Sequence, residues 1–355
     1  MIECDVLVIG GGPAGLSTSE SASSCGLNVI CIEKKGMIGT PVHCAEGISK
    51  YLLDRLPFKF PKKLLEWKID GLAFFVGEKE VFKKGKNWAG YSISRDVFEP
   101  WLASRAEKRG AKIFSGTELL KVKQDNKVYI SSVKKNKENL KIKSKYVVGA
   151  DGVVSKVARS IGIKEYPKTN PGYVYSWEVK YIELDFSEYE YLFLGEFSPN
   201  GYGYIFPKSK NRANIGVGDL FGKKGIKRKF QKFINDERIK GYLKKAKFVV
   251  EKSKEAPFLT RHPIGYQNVF FVGDSANQNI KPFVEGFLPA IICGHALGKK
   301  INELNPKSYE NLIDKILPEL SESRELIDPT VAIFKRTDKK RFIELLNLML
   351  SPYEI

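Results

Sequence analysis

Short apolar runs separated by a glycine-rich turn form the start of the chain. Residues 5–9 and 28–33 are rich in valine and isoleucine and have the length of buried parallel strands. Between them, a turn at residues 10–15 leads into a segment that predicts a helix through about Cys25. A strand, a helix and a second strand in this order predict a parallel sheet with a right-handed crossover.

Later segments change between helical and strand-like patterns. Residues 94–110 predict a helix that ends at a glycine. Residues 111–150 alternate between apolar and polar positions, which predicts an antiparallel meander that ends in a buried strand at residues 146–150. The other predicted elements are a strand-rich stretch at 173–218, a basic helical stretch at 221–248, a buried strand before Gly273, a helix over about 286–300 and helices over 309–350.

Three glycines follow the first predicted strand in the spacing Gly10-x-Gly12-x-x-Gly15. The first glycine permits a tight turn, the second lets the backbone approach a pyrophosphate, and the third lets the helix pack close to the sheet. Pro13 and Ala14 open that helix, whose N-terminus offers unpaired N–H groups to phosphate oxygens. The spacing therefore predicts that a phosphate-bearing ligand contacts this turn.

An acidic residue closes the second predicted strand. Glu33 stands where a carboxylate can bind ribose hydroxyls, and we expect Lys34 beside it to line the same site. A glycine pattern alone is weak evidence for a ligand. The strand before it, the helix after it and the acid at this position together predict a dinucleotide-binding site.

Two later apolar strands also end in an acidic turn. One delivers Ala150-Asp151-Gly152 and the other delivers Gly273-Asp274. A carboxylate at the end of a buried strand can accept hydrogen bonds from the hydroxyl groups of a ligand. Each motif alone is modest evidence for a ligand-binding site. We expect both motifs to lie beside the glycine turn.

Together and in this order, the three motifs resemble those of the para-hydroxybenzoate-hydroxylase-like superfamily of FAD enzymes. Arg95 matches that superfamily's arginine near the FAD phosphates. The resemblance reaches to about residue 300 and implies an α/β fold, in which a Rossmann-like FAD-binding domain carries an inserted, mostly antiparallel β-sheet substrate domain and C-terminal helices. The expected division is an FAD-binding domain of residues 1–57, 88–170 and 262–300, a substrate-binding domain of residues 58–87 and 171–261, and a C-terminal helical segment of residues 301–355.

Two further stretches are similar to signatures of the geranylgeranyl reductase family, whose enzymes saturate isolated double bonds in prenyl chains of archaeal membrane lipids or of chlorophyll and quinone tails. Residues 41–47 match its Pro-x-x-Cys-x-Glu-Gly signature, which implies that Cys44 and Ala45 face the flavin. Residues 202–208 resemble its Tyr-x-Trp-x-Phe-Pro-Lys motif, although Tyr204 stands where the family usually has tryptophan. The substrate contacts that this match implies are Tyr202, Tyr204, Phe206 and Pro207.

The sequence departs from the family after Asp274. Where the family has a glycine-rich turn, β-branched Val284 occupies a position at which glycine lets the backbone meet the flavin. Glu285, Gly286 and Phe287 are still expected to contact the cofactor. The helix that follows can direct its N-terminus at the flavin pyrimidine.

An isolated alkene is unpolarised, so a hydride from reduced flavin must be matched by a proton at the other carbon. Cys44 is a candidate proton donor or relay, since a thiol is mostly protonated at neutral pH. Glu46 and a flavin-bound water are the alternatives.

Rival functions are a flavin monooxygenase acting on an apolar substrate and a non-catalytic, FAD-bound, membrane-associated protein or sensor. The electron donor stays open between NAD(P)H, ferredoxin and another carrier.

The charge of the chain indicates which kinds of molecule it can bind. The 355 residues include 59 Lys and Arg but only 41 Asp and Glu, for a formal net charge of +18. This excess favours an anionic partner such as a membrane surface, or reflects a lysine-rich organism. No basic arm or nucleic-acid motif stands out, so nucleic acid is not an expected partner. The expected membrane contact is the basic stretch at residues 335–341, which precedes apolar residues at 342–350.

The cysteines and the hydropathy of the chain argue against several other classes of protein. The five cysteines are scattered without a C-x-x-C pair, which argues against a disulfide framework and a metal site. No apolar run approaches the ~20 residues of a membrane span, and the start lacks the pattern of a signal peptide. We therefore expect a cytoplasmic protein that associates with membranes peripherally.

Overall fold

The computed structural model describes residues 1–163, 171–258, 263–334 and Glu344. The strands are β1 Ile2–Ile9, β2 Val29–Ile32, β3 Gly47–Ser49, β4 Leu65–Ile69, β5 Gly71–Val76, β6 Lys79–Lys84, β7 Gly90–Ile93, β8 Lys112–Phe114, β9 Thr117–Asp125, β10 Val128–Lys135, β11 Glu138–Gly149, β12 Gly172–Lys180, β13 Tyr189–Leu194, β14 Gly201–Ser209, β15 Arg212–Asp219, β16 Lys247–Ala256, β17 Gly265–Tyr266 and β18 Val269–Phe271. The α-helices are α1 Pro13–Ser23, α2 Lys50–Leu53, α3 Arg95–Lys108, α4 Lys156–Ser160, α5 Ile226–Ile234, α6 Glu237–Leu243, α7 Phe287–Lys300, α8 Pro306–Ile316, α9 Glu319–Glu322 and α10 Ile327–Phe334.

Parallel strands from three separate parts of the chain form the first sheet. β1 pairs in parallel with β2 on one side and with β11 on the other, and β18 pairs in parallel with β11. Every residue of β2 and of β18 is buried, as expected for strands covered on both faces. The predicted α/β fold with a Rossmann-like sheet is therefore confirmed.

Helices α1 and α7 pack side by side against this sheet. Ser17 Oγ of α1 donates a hydrogen bond of 2.7 Å to the Ile291 carbonyl of α7. Further along both helices, a Cβ atom added to Gly298 would stand 2.1 Å from Ser21 Oγ and 2.4 Å from the Thr18 carbonyl oxygen, so glycine is needed for this close approach. Since early residues of one helix contact early residues of the other, the helices run parallel and their N-termini adjoin.

The second sheet is mostly antiparallel, with the strand order β16-β12-β15-β14-β13-β5-β6. One face buries Phe193 against Phe233 of α5, with ring centres 5.5 Å apart, whereas the opposite face carries Tyr204 into a cluster with Phe283. All seven strands lie within residues 58–87 and 171–261. The inserted antiparallel sheet of the predicted fold is confirmed, and the division into domains at those boundaries remains a proposal.

Two local predictions differ from the structure. β8 does not join the predicted meander but pairs in parallel with β2, because helix α3 returns the chain to the edge of the first sheet. Residues 221–248, predicted as helical, instead form α5, α6 and the start of β16. The interruption lies at Asp236, whose side chain caps α6 by accepting a hydrogen bond from the Arg238 N–H.

The C-terminal helices α8 to α10 follow α7. Ile327 and Ile333 of α10 pack in one cluster with Phe74 and Leu192 of the second sheet. No helix in the described part of the chain is long and apolar enough to cross a membrane. The predicted membrane contact at residues 335–350 lies outside the described residues, apart from Glu344.

Candidate functional site

A cleft of about 870 Å³ lies between the first and second sheets. This volume is in the range of sites that bind small molecules and cofactors. The cleft brings together every predicted catalytic, cofactor-binding and substrate-binding residue except Gly15 and Pro207. Those that line it are Gly10, Gly12, Pro13, Ala14, Glu33, Lys34, Cys44, Ala45, Glu46, Arg95, Ala150, Asp151, Gly152, Tyr202, Tyr204, Phe206, Gly273, Asp274, Glu285, Gly286 and Phe287.

The glycine motif forms the turn between β1 and α1. Gly10 has a φ of +112°, and a Cβ atom there would stand 2.2 Å from the Ala150 carbonyl oxygen. A Cβ atom on Gly15 would stand 1.9 Å from the Gly10 carbonyl oxygen, so both positions require glycine for the fold itself. A Cβ atom on Gly12, in contrast, would have no protein atom within 4 Å. The protein leaves this side of the turn open to the cleft.

Glu33 directly follows β2 at the rim of the cleft. Its Oε2 accepts a hydrogen bond of 2.7 Å from the Gly11 N–H, and its Oε1 accepts one of 2.9 Å from the Lys35 N–H. These bonds fix the carboxylate, and each oxygen retains a lone pair for a further donor. The exposed Lys34 lines the same part of the cleft.

Asp151 has one bonded and one free carboxylate oxygen. Its Oδ2 accepts hydrogen bonds from the first N–H groups of α4, at 2.7 Å from Lys156 and 3.1 Å from Val157. Its Oδ1 is buried and has no hydrogen-bond partner among the described residues. Burial raises the pKa of Asp151. A buried acceptor without a partner fits a donor on a ligand in the cleft.

Asp274 pairs with a lysine that the sequence motifs do not indicate. Its Oδ2 lies 2.8 Å from Lys254 Nζ, on β16. Burial alone would raise the pKa of Asp274, but the Lys254 charge lowers it below its usual range. Gly286, at the start of α7, faces the other carboxylate oxygen.

Arg95 is held rigidly at the start of α3. Its Nε donates a hydrogen bond of 2.6 Å to Glu99, one turn along the helix, and its guanidinium lies 5.2 Å from the centre of the Phe287 ring. Burial opposes the charge of Arg95, but the neighbouring Glu99 carboxylate raises its pKa. The group is therefore a fixed positive charge at the wall of the cleft.

These features fit FAD. The open turn at Gly12, the two adjoining helix N-termini and the free oxygen of Asp151 lie along one cleft. The pKa of His43 in the same cleft is lowered by burial and then by the charges of Lys35 and Lys254. Such a positive field suits a diphosphate. Nothing in the sequence motifs pointed to His43, although it directly precedes the signature cysteine.

Glu46 is the centre of a buried ionic network. Its Oε2 lies 2.8 Å from Lys208 Nζ of β14 and 2.9 Å from Lys252 Nζ of β16. Asn214 of β15 donates to the same oxygen at 3.1 Å, and the Arg95 N–H donates to Oε1 at 2.9 Å. The carboxylate thus joins the signature loop to three strands of the second sheet and to α3.

This network fixes the charge of Glu46. Burial alone would raise the pKa of its carboxyl group, but the Lys252 and Lys208 charges lower it to about 2. Glu46 is therefore ionised at neutral pH, and both of its oxygens accept hydrogen bonds. A group in this state holds no proton to donate, so the geometry favours a positioning role over the predicted alternative of an acid.

Cys44 lies two residues earlier in the same loop and is half-buried at the cleft. Its Sγ accepts a hydrogen bond of 3.3 Å from the Glu46 N–H. Electrostatic interactions with the Arg95 guanidinium and with Tyr204 show that these groups lie close to the thiol. Because the sulfur accepts the backbone bond, its own hydrogen remains available for donation into the cleft.

Aromatic residues of β14 form the opposite, apolar wall. Tyr204 and Phe206 lie in contact, with ring centres 5.0 Å apart, and the Tyr202 hydroxyl donates to the Phe283 carbonyl at 3.1 Å. Pro207 is buried but does not line the cleft, since successive residues of a strand face opposite sides. The wall continues through Leu72, Trp88 and Leu192.

The turn that departs from the family has a strained backbone. Val284 adopts a φ of +59°, a left-handed conformation that costs a non-glycine residue about 1–2 kcal/mol. The turn is closed by mutual backbone hydrogen bonds between Ile280 and Glu285, of 3.0 and 3.1 Å. Valine therefore occupies the conformation that a glycine would take. It adds a side chain that packs with the cluster around Tyr202 and Phe283.

Comparisons with known proteins agree with this geometry. Family models described as an FAD binding domain match residues 5–59 and 76–247. The digeranylgeranylglycerophospholipid reductase of Methanocaldococcus jannaschii is 33% identical over 320 residues, which cover 87% of this chain and 80% of that protein. The protein of the same name from Thermoplasma volcanium is 30% identical over 302 residues, which cover 82% of this chain and 76% of that protein.

Solved structures share the fold. A geranylgeranyl bacteriochlorophyll reductase-like protein from Thermoplasma acidophilum superimposes with a TM-score of 0.83 at 24% identity, covering 100% of this chain and 97% of that one. The predicted FAD cofactor is confirmed by the matching FAD-binding models. Identity of 30% or more over most of both chains decides the family. This chain belongs to the digeranylgeranylglycerophospholipid reductase family of FAD-binding proteins.

Proposed function

We propose that this protein is an FAD-dependent reductase that saturates isolated carbon–carbon double bonds in the geranylgeranyl chains of archaeal membrane lipid precursors. The observation that carries the proposal is the meeting of two family signatures, residues 41–47 and 202–208, in one cleft with the FAD-binding residues. The names of the relatives support the same chemistry.

Bound FAD would supply the hydride, and the chain must position the alkene and exclude water. The apolar wall of Tyr202, Tyr204 and Phe206 can do both, because it offers extended contact to a hydrocarbon chain and no charge. The cofactor side is polar and cationic. The cleft thus has the two unlike walls that a redox cofactor and a lipid tail require.

The proton must come from a group at the wall of the cleft. We assign this role to the Cys44 thiol, which faces the cleft beside Arg95 and Tyr204. Glu46 keeps the loop of Cys44 in place through its bonds to Lys208 and Lys252.

The reducing partner and the membrane contact form the finer part of the proposal. We infer that an external carrier, either NAD(P)H, ferredoxin or another donor, reduces the flavin, because the sequence contains only one complete dinucleotide motif. A lipid with two prenyl chains is almost insoluble in water. The net charge of +18 supports reversible contact with an anionic membrane, where such a substrate resides.

Anaerobic reoxidation of the reduced protein tests the function against its rivals. The flavin is reduced with dithionite, a prenyl lipid is added, and the flavin absorbance is followed. A reductase reoxidises on adding the lipid without oxygen. A monooxygenase reoxidises only when oxygen is admitted, and a non-catalytic sensor shows no response to the lipid in either condition.

A further inference from the structure

Glu190 places a carboxyl group on the substrate side of the cleft. It lies on β13, where the side chains of Leu192 and Leu194 share its face and belong to the apolar cluster behind the cleft. Glu190 lines the cleft, where the neighbouring side chains of β13 and β14 are Leu192 and the aromatic residues Tyr202, Tyr204 and Phe206. An acid among such residues is unusual and requires an explanation.

Gly47 of the signature loop leaves room for this acid. A Cβ atom added to Gly47 would stand 2.2 Å from Glu190 Oε1 and 3.1 Å from the Phe206 ring. Any other residue at this position would displace the carboxyl group. The loop that carries Cys44 is therefore shaped to accommodate Glu190.

The neighbours of Glu190 do not neutralise it. No described residue donates a hydrogen bond to its carboxyl group, and the titratable groups that face it are Glu285 and Tyr202. Glu285 itself accepts hydrogen bonds from the Ser49 hydroxyl at 2.6 Å and from the Ser49 N–H at 3.2 Å. Burial raises the pKa of Glu285 as well, but Glu285 has donors that stabilise a negative charge, whereas Glu190 has none.

Burial in the apolar wall, followed by the Glu285 charge, raises the pKa of Glu190 to about 8. Below that pH Glu190 is a neutral carboxylic acid, and above it the proton is lost. A protonated carboxyl group in this position has a hydrogen that no described residue accepts. Carboxyl groups that stay protonated near neutral pH because their pKa is raised serve as acids in other enzymes.

Two tyrosines of β14 interact with Glu190 or with Cys44. Tyr202 interacts electrostatically with Glu190, and Tyr204 interacts with Tyr202 and with Cys44. The four side chains all line the cleft. Pairwise interactions thus connect Glu190 to the thiol through the two tyrosines.

We propose that Glu190 is the proton reservoir of this site, which restores the proton that Cys44 gives to the reacting double bond. This inference rests on the proposed reductase function. In each cycle the π bond of the alkene breaks and two C–H bonds form, one with the hydride of reduced FAD and one with the Cys44 proton. The Glu190 O–H bond then breaks to reform the thiol, and Glu190 takes a proton from water at the cleft.

Difference infrared spectroscopy tests the state of Glu190 without any turnover. We expect the wild-type protein to show the carbonyl band of a protonated carboxylic acid at pH 7, which disappears around pH 8 and is missing in Glu190→Gln. Glu285→Gln, which removes the facing charge, moves the midpoint to lower pH. Glu188→Gln, just before β13 and outside the cleft, leaves the band unchanged. A wild-type spectrum without this band at pH 7 overturns the proposal.

Turnover measurements then test the role. We expect Glu190→Gln to keep its FAD and its melting temperature, to lose at least about tenfold in lipid reduction at pH 7, and to lose the decline in rate near pH 8. Wild-type rate and pH profile in Glu190→Gln would overturn the reservoir while leaving the reductase intact. A wild-type protein that reduces no lipid would instead refute the proposed function, and the infrared result on Glu190 would stand independently.

Discussion

At the scale of single residues, three glycines of one motif have different tasks. Gly10 and Gly15 are required by the fold, because a side chain there would enter the backbone of Ala150 or of Gly10 itself. Gly12 borders open space, so the fold does not require it. The spacing of the three glycines predicts a phosphate-binding turn, but only the structure separates the two positions that the fold requires from the position that a ligand would occupy.

Gly12→Val is expected to remove FAD without unfolding the protein. The valine side chain would fill the space that the motif leaves for the pyrophosphate, so we expect at least about a tenfold loss of FAD affinity. Flavin absorbance of the purified variant and its circular dichroism spectrum measure the two effects. Gly15→Val is the matched control and should fail to fold. Full flavin content in Gly12→Val would place the phosphate site elsewhere.

Cys44→Ala is expected to keep FAD and to slow alkene reduction by at least about tenfold. The alanine removes the thiol and the hydrogen bond that its sulfur accepts from the Glu46 N–H, while the Arg95 and Lys208 bonds to the Glu46 carboxylate are retained. Single-turnover reoxidation of the reduced flavin by lipid measures the effect. Unchanged turnover would reduce Cys44 to a packing residue.

At the scale of elements, the two family signatures are joined to each other. The Glu46 carboxylate of the first signature pairs with Lys208 of the second, and with Lys252 of a third strand. The resemblance predicted that both stretches line one site. It gave no indication of this pairing, because the partners are 162 and 206 residues apart in the sequence. The lowering of the Glu46 pKa by Lys252 and Lys208 is therefore visible only in the structure.

Glu46→Gln should destabilise the protein strongly at neutral pH. The change leaves two buried lysine charges without their nearest carboxylate, and we expect a loss of about 3–5 kcal/mol in the free energy of unfolding. The depressed pKa of Glu46 stabilises the wild type above about pH 4.3, and this contribution is lost as the pH falls toward 2. The difference between variant and wild type should therefore shrink over that range in denaturant titrations.

Glu66→Gln is the matched control for that prediction. Glu66 also pairs with Lys208, at 3.4 Å, but its side chain is 27% exposed. We expect a loss within about 1 kcal/mol, since exposed ion pairs contribute little. Equal losses in Glu46→Gln and Glu66→Gln would contradict the central role of Glu46.

At the scale of the whole molecule, three distant segments build one cleft. The order of the three motifs and the apolar strands that precede them were enough to predict the α/β fold and the FAD cofactor. The finer features follow from contacts across the cleft that no local pattern encodes. Glu190 shows this clearly, because the alternation of β13 places it beside Leu192, whereas its facing partner Glu285 lies in a distant turn. The roles of the individual site residues stay predictions.

Membrane attachment is expected to depend on salt and on anionic lipid. Each Lys or Arg that approaches an anionic surface contributes roughly 1 kcal/mol, which falls off within a Debye length. With a net charge of +18, the protein should co-sediment with anionic vesicles at low salt and dissociate at high salt. Neutral vesicles are the control. Equal binding to both kinds of vesicle, or none to anionic vesicles at low salt, would reject the electrostatic account.

The mass of the lipid product tests the central claim most directly. The wild-type protein with chemically reduced FAD is incubated without oxygen with geranylgeranyl lipids in phosphorylated, free-alcohol and ether-linked forms, and the lipids are analysed by mass spectrometry. The account predicts products whose mass rises by two hydrogens for each double bond saturated, and a loss of these products in Gly12→Val. Absence of any such product from all three lipid forms, with FAD bound and reduced, would contradict the assignment of this cleft to prenyl reduction.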